Sequence, residues 1–271
     1  MSPVLIVELA ALGLSSGFLA GLLGIGGGML MVPFLTFILG SLGTSPELAV
    51  KMAIATSMAT IMFTSISSVR AHHKRGAVRW PVVVAMAPGL VIGGLLVGFG
   101  LFALIKGAWL ALAFAGFVSF SGWQMLANRR PAPSRALPGA LGQLGAGTGI
   151  GMLSGLVGAG GGFVSVPYLV WCNVPVHTAV ATSAALGFPI AFANTLGYLF
   201  GHPEGQALPG TVGYVYLPAL AVIAAASVLM APLGAKAAHA MNVAQLKRAF
   251  AYLLFALAAY MLFKGLQPLL A

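Results

Sequence analysis

GLLGIGGGMLMVP, from Gly21 to Pro33, breaks an apolar run with glycines at 24, 26, 27 and 28, and GLVGAGGGFVSVP, from Gly155 to Pro167, does the same again. The flanking residues read as membrane-spanning helix, so each break leaves backbone groups unpaired at a depth where lipid offers them no partner. Aligned without gaps, Gly17–Leu35 and Gly151–Leu169 agree at 11 of 19 positions. IATS (Ile54–Ser57) is answered by VATS (Val180–Ser183), and the GAV at Gly76 by the GTV at Gly210. The chain is an internal duplication, with repeat 1 over residues 1–131 and repeat 2 over 132–271 forming a single membrane domain.

Composition sets the environment. Of 271 residues, 60% are hydrophobic and 6% charged, with a mean hydropathy of +1.03. A soluble surface needs roughly a quarter to a third of its positions charged, so this is an integral membrane protein. The apolar stretches are about 20 residues long and do not alternate, which predicts helices rather than barrel strands. They run over 4–24, 29–40, 48–69, 80–104, 107–127, 138–158, 163–172, 176–200, 211–233 and 243–264. The expected architecture is all-α: two homologous repeats, each a Gly-broken re-entrant hairpin plus three transmembrane helices, with about eight segments long enough to span.

The N-terminus lacks a basic leader and carries Glu8 in its apolar run, so the first segment is expected to stay in place. A lone Cys172 excludes an internal disulfide and a cysteine cluster, and no metal or cofactor is expected. The net charge of +10 does not point to nucleic acid, because the Lys and Arg residues fall in short loops. There they set orientation and attract anions or anionic lipid.

The same charges predict that the repeats are inverted. If each broken pair is a hairpin, one face collects Arg70, Lys74, Arg75, Arg79, Arg129, Arg130, Arg135, Lys236, Lys247 and Arg248. Only Lys51, Lys106 and Lys264 of the 13 lie opposite. If each pair were one crossing, the split would be eight against five. The positive-inside rule favours the first arrangement.

Each helix restarting beyond a glycine triplet points free N–H groups and the positive end of its dipole into the protein. Glycine lets a ligand approach that backbone without Cβ interference, which suits an anion. Gly26, Gly27, Gly28, Gly160, Gly161 and Gly162 are therefore candidate binding residues. The outer glycines at 17, 21 and 24, and at 151, 155 and 158, have the spacing of close helix packing and are read that way. Hydroxyls come next. Thr56, Thr60 and Thr64 share a helical face, and Thr56 and Ser57 pair across the repeats with Thr182 and Ser183. Such groups donate to an oxyanion without adding charge, although any one of them can equally bond its own helix. Asn194 joins the same set. The only acids are Glu8, Glu47 and Glu204, which leaves little material for a carboxylate relay. His177 lies near the second hairpin. Export of an anion needs no relay, because an inside-negative potential contributes about 2.3 kcal/mol per charge per 100 mV.

The doubled GLLGIGGGMLMVP and GLVGAGGGFVSVP, each followed by an ATS segment, resemble the sulfite exporter TauE/SafE family over nearly the whole chain. The resemblance implies a multi-pass permease of the bacterial inner membrane, not an enzyme, that moves small sulfur-containing anions such as sulfite, sulfoacetate or a related organosulfonate. The cysteine chemistry of distant thiosulfate carriers is not carried over to Cys172. A passive anion channel is the alternative from sequence, since carrier and channel can share one backbone filter. An intramembrane hydrolase is disfavoured, because the histidines cluster near loops and no nucleophile motif stands out. The Gly- and Ala-rich outer segments are compatible with a homodimer.

Overall fold

The computed structural model describes residues 1–24, 26–127, 135–203, 205–240 and 244–270, except for the side chains of 239, 240 and 244–247. Repeat 1 contributes α1 (Pro3–Leu23), α2 (Gly28–Ser41), α3 (Pro46–His73), α4 (Trp80–Leu104) and α5 (Gly107–Leu126). Repeat 2 contributes α6 (Ala140–Val157), α7 (Gly162–Trp171), α8 (Val176–Leu199), α9 (Leu217–Ala240) and α10 (Ala244–Leu270). Among the described residues eight of these helices, all but α2 and α7, are long and apolar enough to cross a membrane. Large apolar side chains such as Phe37, Leu104, Leu229 and Phe263 face outward, whereas hydroxyls such as Thr56, Ser57, Thr182 and Ser183 are wholly buried. That pattern suits a bilayer, where interior packing relies on small and polar residues. The protein is an all-α integral membrane protein. The join expected at 131/132 lies outside the described residues.

Helix starts follow local chemistry. Ser2 caps α1 by accepting from the Leu5 N–H, and α3 and α4 open with Pro46 and Pro81 in the first turn, where the missing N–H costs nothing. One expectation is corrected. The segment expected to be helical from 211 starts at Leu217, because Thr211–Val212 and Val215–Tyr216 pair as a short antiparallel hairpin around Gly213. Gly213 has φ +55°, and a side chain there would strike the Tyr198 and Leu199 carbonyls. The other observed helices extend or shorten the expected segments by a few residues at their ends.

Residue pairings give the helix directions. Along α1, Gly13, Gly17 and Gly21 meet Ile223, Ser227 and Ala231 of α9 in rising order, so the two run parallel. α3 is parallel to α9 as well, with Thr64 bonded to Ser227 and Ser67 to the Val228 carbonyl. In repeat 2, Asn194 and Tyr198 of α8 reach the Gly151 and Gly155 carbonyls of α6, and Gly94 and Gly98 of α4 meet Asn194 and Gly197. α4, α6 and α8 therefore share a direction. Across the centre α3 and α8 run opposite ways, since Ser65 meets Gly187 while Arg79, beyond the α3 end, bonds Thr182 nearer the α8 start. α5 and α10 are also antiparallel, with Gly122 at Ala251 and Gly265 at Ala108. Each helix of repeat 1 thus opposes its counterpart in repeat 2. Because α1 and α3 share a direction, α2 returns to the side from which α1 entered, and α7 does the same for α6. The broken pairs are hairpins in an inverted duplication.

The repeats also exchange partners: α1 packs on α9, and α6 on α4. The seams are glycine-lined. A Cβ on Gly17 would meet the Ser227 backbone, and one on Gly21 the Ala231 carbonyl, whereas Gly40 has open space around it. Gly17→Ala is therefore expected to lower the melting temperature in detergent, by a backbone displacement worth about 1–3 kcal/mol. Gly40→Ala should leave it unchanged. Equal effects would refute the packing role.

Candidate functional site

The two hairpin breaks are built alike. Gly24, Gly26 and Gly27 have φ of 68°, 75° and 77°, and Gly158 and Gly161 have 72° and 74°. These left-handed conformations are open to glycine at no steric cost, which explains the glycine density. Gly27 and Gly161 then serve as the N-caps of α2 and α7, without any side-chain cap. The first-turn N–H groups at Gly28, Met29, Gly162 and Phe163 consequently have no intrahelical acceptor. The breaks meet face to face, so that a Cβ on Gly26 would lie 3.0 Å from the Gly160 Cα.

Each break is held by matching bonds from the opposite or adjoining helix. Ser57 Oγ donates to the Gly158 carbonyl at 3.1 Å, and Ser183 Oγ donates to the Gly24 carbonyl at 3.1 Å. Thr56 Oγ1 accepts from the Tyr216 N–H, and Thr182 Oγ1 accepts from the Arg79 N–H, both at 3.0 Å. Each threonine thereby satisfies the backbone just before a helix of the other repeat. His72 Nε2 lies 3.2 Å from the Gly21 carbonyl, and at the equivalent place Tyr198 Oη donates to the Gly155 carbonyl at 2.7 Å.

A small cavity adjoins the meeting point. It is lined by Gly24, Gly26, Gly160 and Gly187, by Ala20 and Ala184, and by the hydroxyl-bearing Thr64, Ser65, Ser68 and Ser183, of which Thr64, Ser65 and Ser183 donate to the Thr60, Met62 and Gly24 carbonyls. Its volume is about 10 Å³, room for roughly one water molecule. No charged side chain lines it. Its position is off-centre, since Ser68 stands two residues before Arg70, near the basic end of α3. The cause is an asymmetry between the repeats. Where half 1 has Thr64, Ser65 and Ser68, half 2 has Ile190, Ala191 and Asn194. Asn194 fills the mirror position, donating to the Gly151 and Ile190 carbonyls and accepting from Tyr198 Oη.

Of the residues predicted to bind, Gly26, Gly160 and Ser183 line the cavity, whereas Gly27, Gly28, Gly161, Gly162, Thr56, Ser57, Thr182 and Asn194 do not. Gly28 packs on the Gly158 carbonyl, Gly27 against Ser16, and Gly161 against Ile190 and Ser154. Thr56, Ser57, Thr182 and Asn194 are wholly buried and occupied in the bonds above. Sequence reasoning missed Ser65, Ser68 and Ser165. Ser165 Oγ lies 2.7 Å from Ser183 Oγ and donates to Gly161 or Ser183. The signal for the first two was the hydroxyl run TSISS at 64–68. Cys172 caps the far end of α7, away from the cavity.

The family profile described as Sulfite exporter TauE/SafE matches residues 9–261. The chain belongs to the TauE/SafE family. Its relatives within reach of sequence comparison bear the names of transporters. A probable membrane transporter protein of Haemophilus influenzae is 32% identical over 93% of this chain and 96% of its own length. Another, from Methanocaldococcus jannaschii, is 30% identical over 86% of this chain and 85% of its own. A third, from Xylella fastidiosa, is 32% identical over 72% of this chain and 74% of its own. No solved structure matches. Membership in the TauE/SafE family, with eight helices among the described residues long and apolar enough to span, makes this a multi-pass membrane transporter.

Proposed function

We propose that the protein exports a small sulfur-containing anion, sulfite or an organosulfonate such as sulfoacetate, through the point where the two hairpin breaks meet. The observation that carries this reading is the uncharged, hydroxyl-lined cavity against left-handed glycine backbone, in a TauE/SafE chain. Backbone N–H groups and hydroxyls offset part of an anion's desolvation without the deep trap that a buried cation would create, so the ligand can leave as well as enter. A volume near one water is too small for such an anion, which makes this a closed state. Transport then requires the halves to rock apart, first at the basic end and then at the other, as inverted repeats do. A closed centre favours a carrier over an open channel.

The bacterial inner membrane is the proposed location, with the face bearing Arg70, Lys74, Arg75 and Arg248 toward the cytoplasm. In a Cys172→Ser background, Lys74→Cys should react with an impermeant thiol reagent only after the cells are permeabilised, and Lys106→Cys should react in intact cells. The reverse pattern would overturn the orientation. The functional test is flux into proteoliposomes of sulfite, sulfoacetate, sulfate and acetate under an imposed potential. Saturable, voltage-sensitive flux with counterflow of one sulfur anion supports a carrier. Flux without saturation or counterflow means a channel, and a preference for acetate would refute the sulfur substrate.

A further inference from the structure

A second and larger cavity, about 600 Å³, opens on the outer side of the α3–α9 pair. Its size is that of a small-molecule site. Phe63, Ile66 and Leu233 line the part that runs along the two spanning helices, and Phe63 and Leu233 are 41% and 53% exposed. This part of the groove faces lipid. Its floor is fixed by Ser67 Oγ, which donates to the Val228 carbonyl at 2.8 Å.

At the helix ends the same groove is lined by Arg70, Lys74, Arg75 and Lys236. Arg75 gives one N–H to the Ala235 carbonyl at 2.7 Å, which ties its stem across the groove. Among the described residues no carboxylate lies at this end of the bundle to neutralise the cluster. The whole chain has three acids. Glu8 and Glu47 lie near the starts of α1 and α3, at the opposite end of those helices, and Glu204 lies in sequence between the end of α8 and the start of α9. A groove apolar along its membrane-facing length and fourfold cationic where headgroups lie has the chemistry of one occupant. We infer that it binds an anionic phospholipid, an acyl chain along Phe63, Ile66 and Leu233 and the phosphodiester among the four cations. The central cavity contributes no residue to it, so this site stands whether or not the transported ion is correctly named. Seated there, the lipid bridges α3 of one repeat and α9 of the other.

The test is native mass spectrometry of the detergent-purified protein titrated with phosphatidylglycerol or phosphatidylcholine of identical chains. The first phosphatidylglycerol is expected to bind at least about tenfold more tightly than phosphatidylcholine. A cation near a membrane surface contributes about a fivefold factor, so Lys74→Gln with Lys236→Gln should remove most of that preference. Arg248→Gln, at the same end of the bundle but outside the groove, should leave it intact. Equal binding of the two lipids would overturn the site. So would a preference that survives the double substitution, or that falls equally with Arg248→Gln, which means diffuse surface charge. Displacement of the lipid by millimolar inorganic phosphate would show that the cluster serves a free anion, and would likewise overturn the proposal.

Discussion

Gly26→Ala is expected to lower transport at least tenfold while the protein still folds. Two effects act at this position. An alanine held at φ +75° carries the left-handed penalty of about 1–2 kcal/mol, and its Cβ would lie 3.0 Å from the Gly160 Cα and 3.2 Å from Ile61 Cγ2. The new methyl stands between the two breaks, at a residue that lines a cavity with room for about one water. Gly43→Ala separates the effects. Gly43 has φ +92°, so alanine is strained there too, but nothing lies within 4 Å of its Cβ. Both variants should elute as monodisperse protein, with the larger fall in melting temperature for Gly26→Ala because it adds the contact to the strain, and only Gly26→Ala should lose flux in proteoliposomes. Comparable flux from the two would mean that the meeting of the breaks is packing alone.

The duplication made much of the fold legible before any coordinates. Two glycine triplets at matching places announce two breaks, and the flip of Arg and Lys between equivalent loops announces inversion, because loop charge responds to membrane side rather than to sequence position. The start of α9 was not legible. An apolar run from 211 reads as helix until Gly210 and Gly213 take φ of 87° and 55° to form a hairpin, a choice made by packing against the Tyr198 and Leu199 carbonyls. Of the candidate residues named from sequence, Gly26, Gly160 and Ser183 line the central cavity and the others lie outside it. Repeat symmetry singled out Thr56, Ser57, Thr182 and Ser183, and symmetry is what bracing needs, since each break requires the same carbonyl to be held. The cavity arises where symmetry fails. Ser68 and His72 stand opposite Asn194 and Tyr198, and the larger pair fills the space that the serine leaves open.

That asymmetry makes Ser68→Ala the most informative hydroxyl substitution. Ser68 is 2% exposed, lines the cavity, and its Oγ has no hydrogen-bond partner among the described residues. Burying an unpaired hydroxyl is unfavourable, so replacing it with a methyl should leave the melting temperature unchanged or raise it. If an anion occupies the cavity, the same change removes a donor to a charged group, worth about 1.5–3 kcal/mol, or about ten- to a hundredfold in KM with a smaller change in maximal rate. Ser57→Ala should behave in the opposite sense. It deletes the bond to the Gly158 carbonyl, outside the cavity, so stability falls by about 1 kcal/mol while KM holds. A hydroxyl kept for structure costs stability when it is removed, and one kept for a ligand costs affinity. If Ser68→Ala lowers stability and spares KM, the anion does not pass this wall.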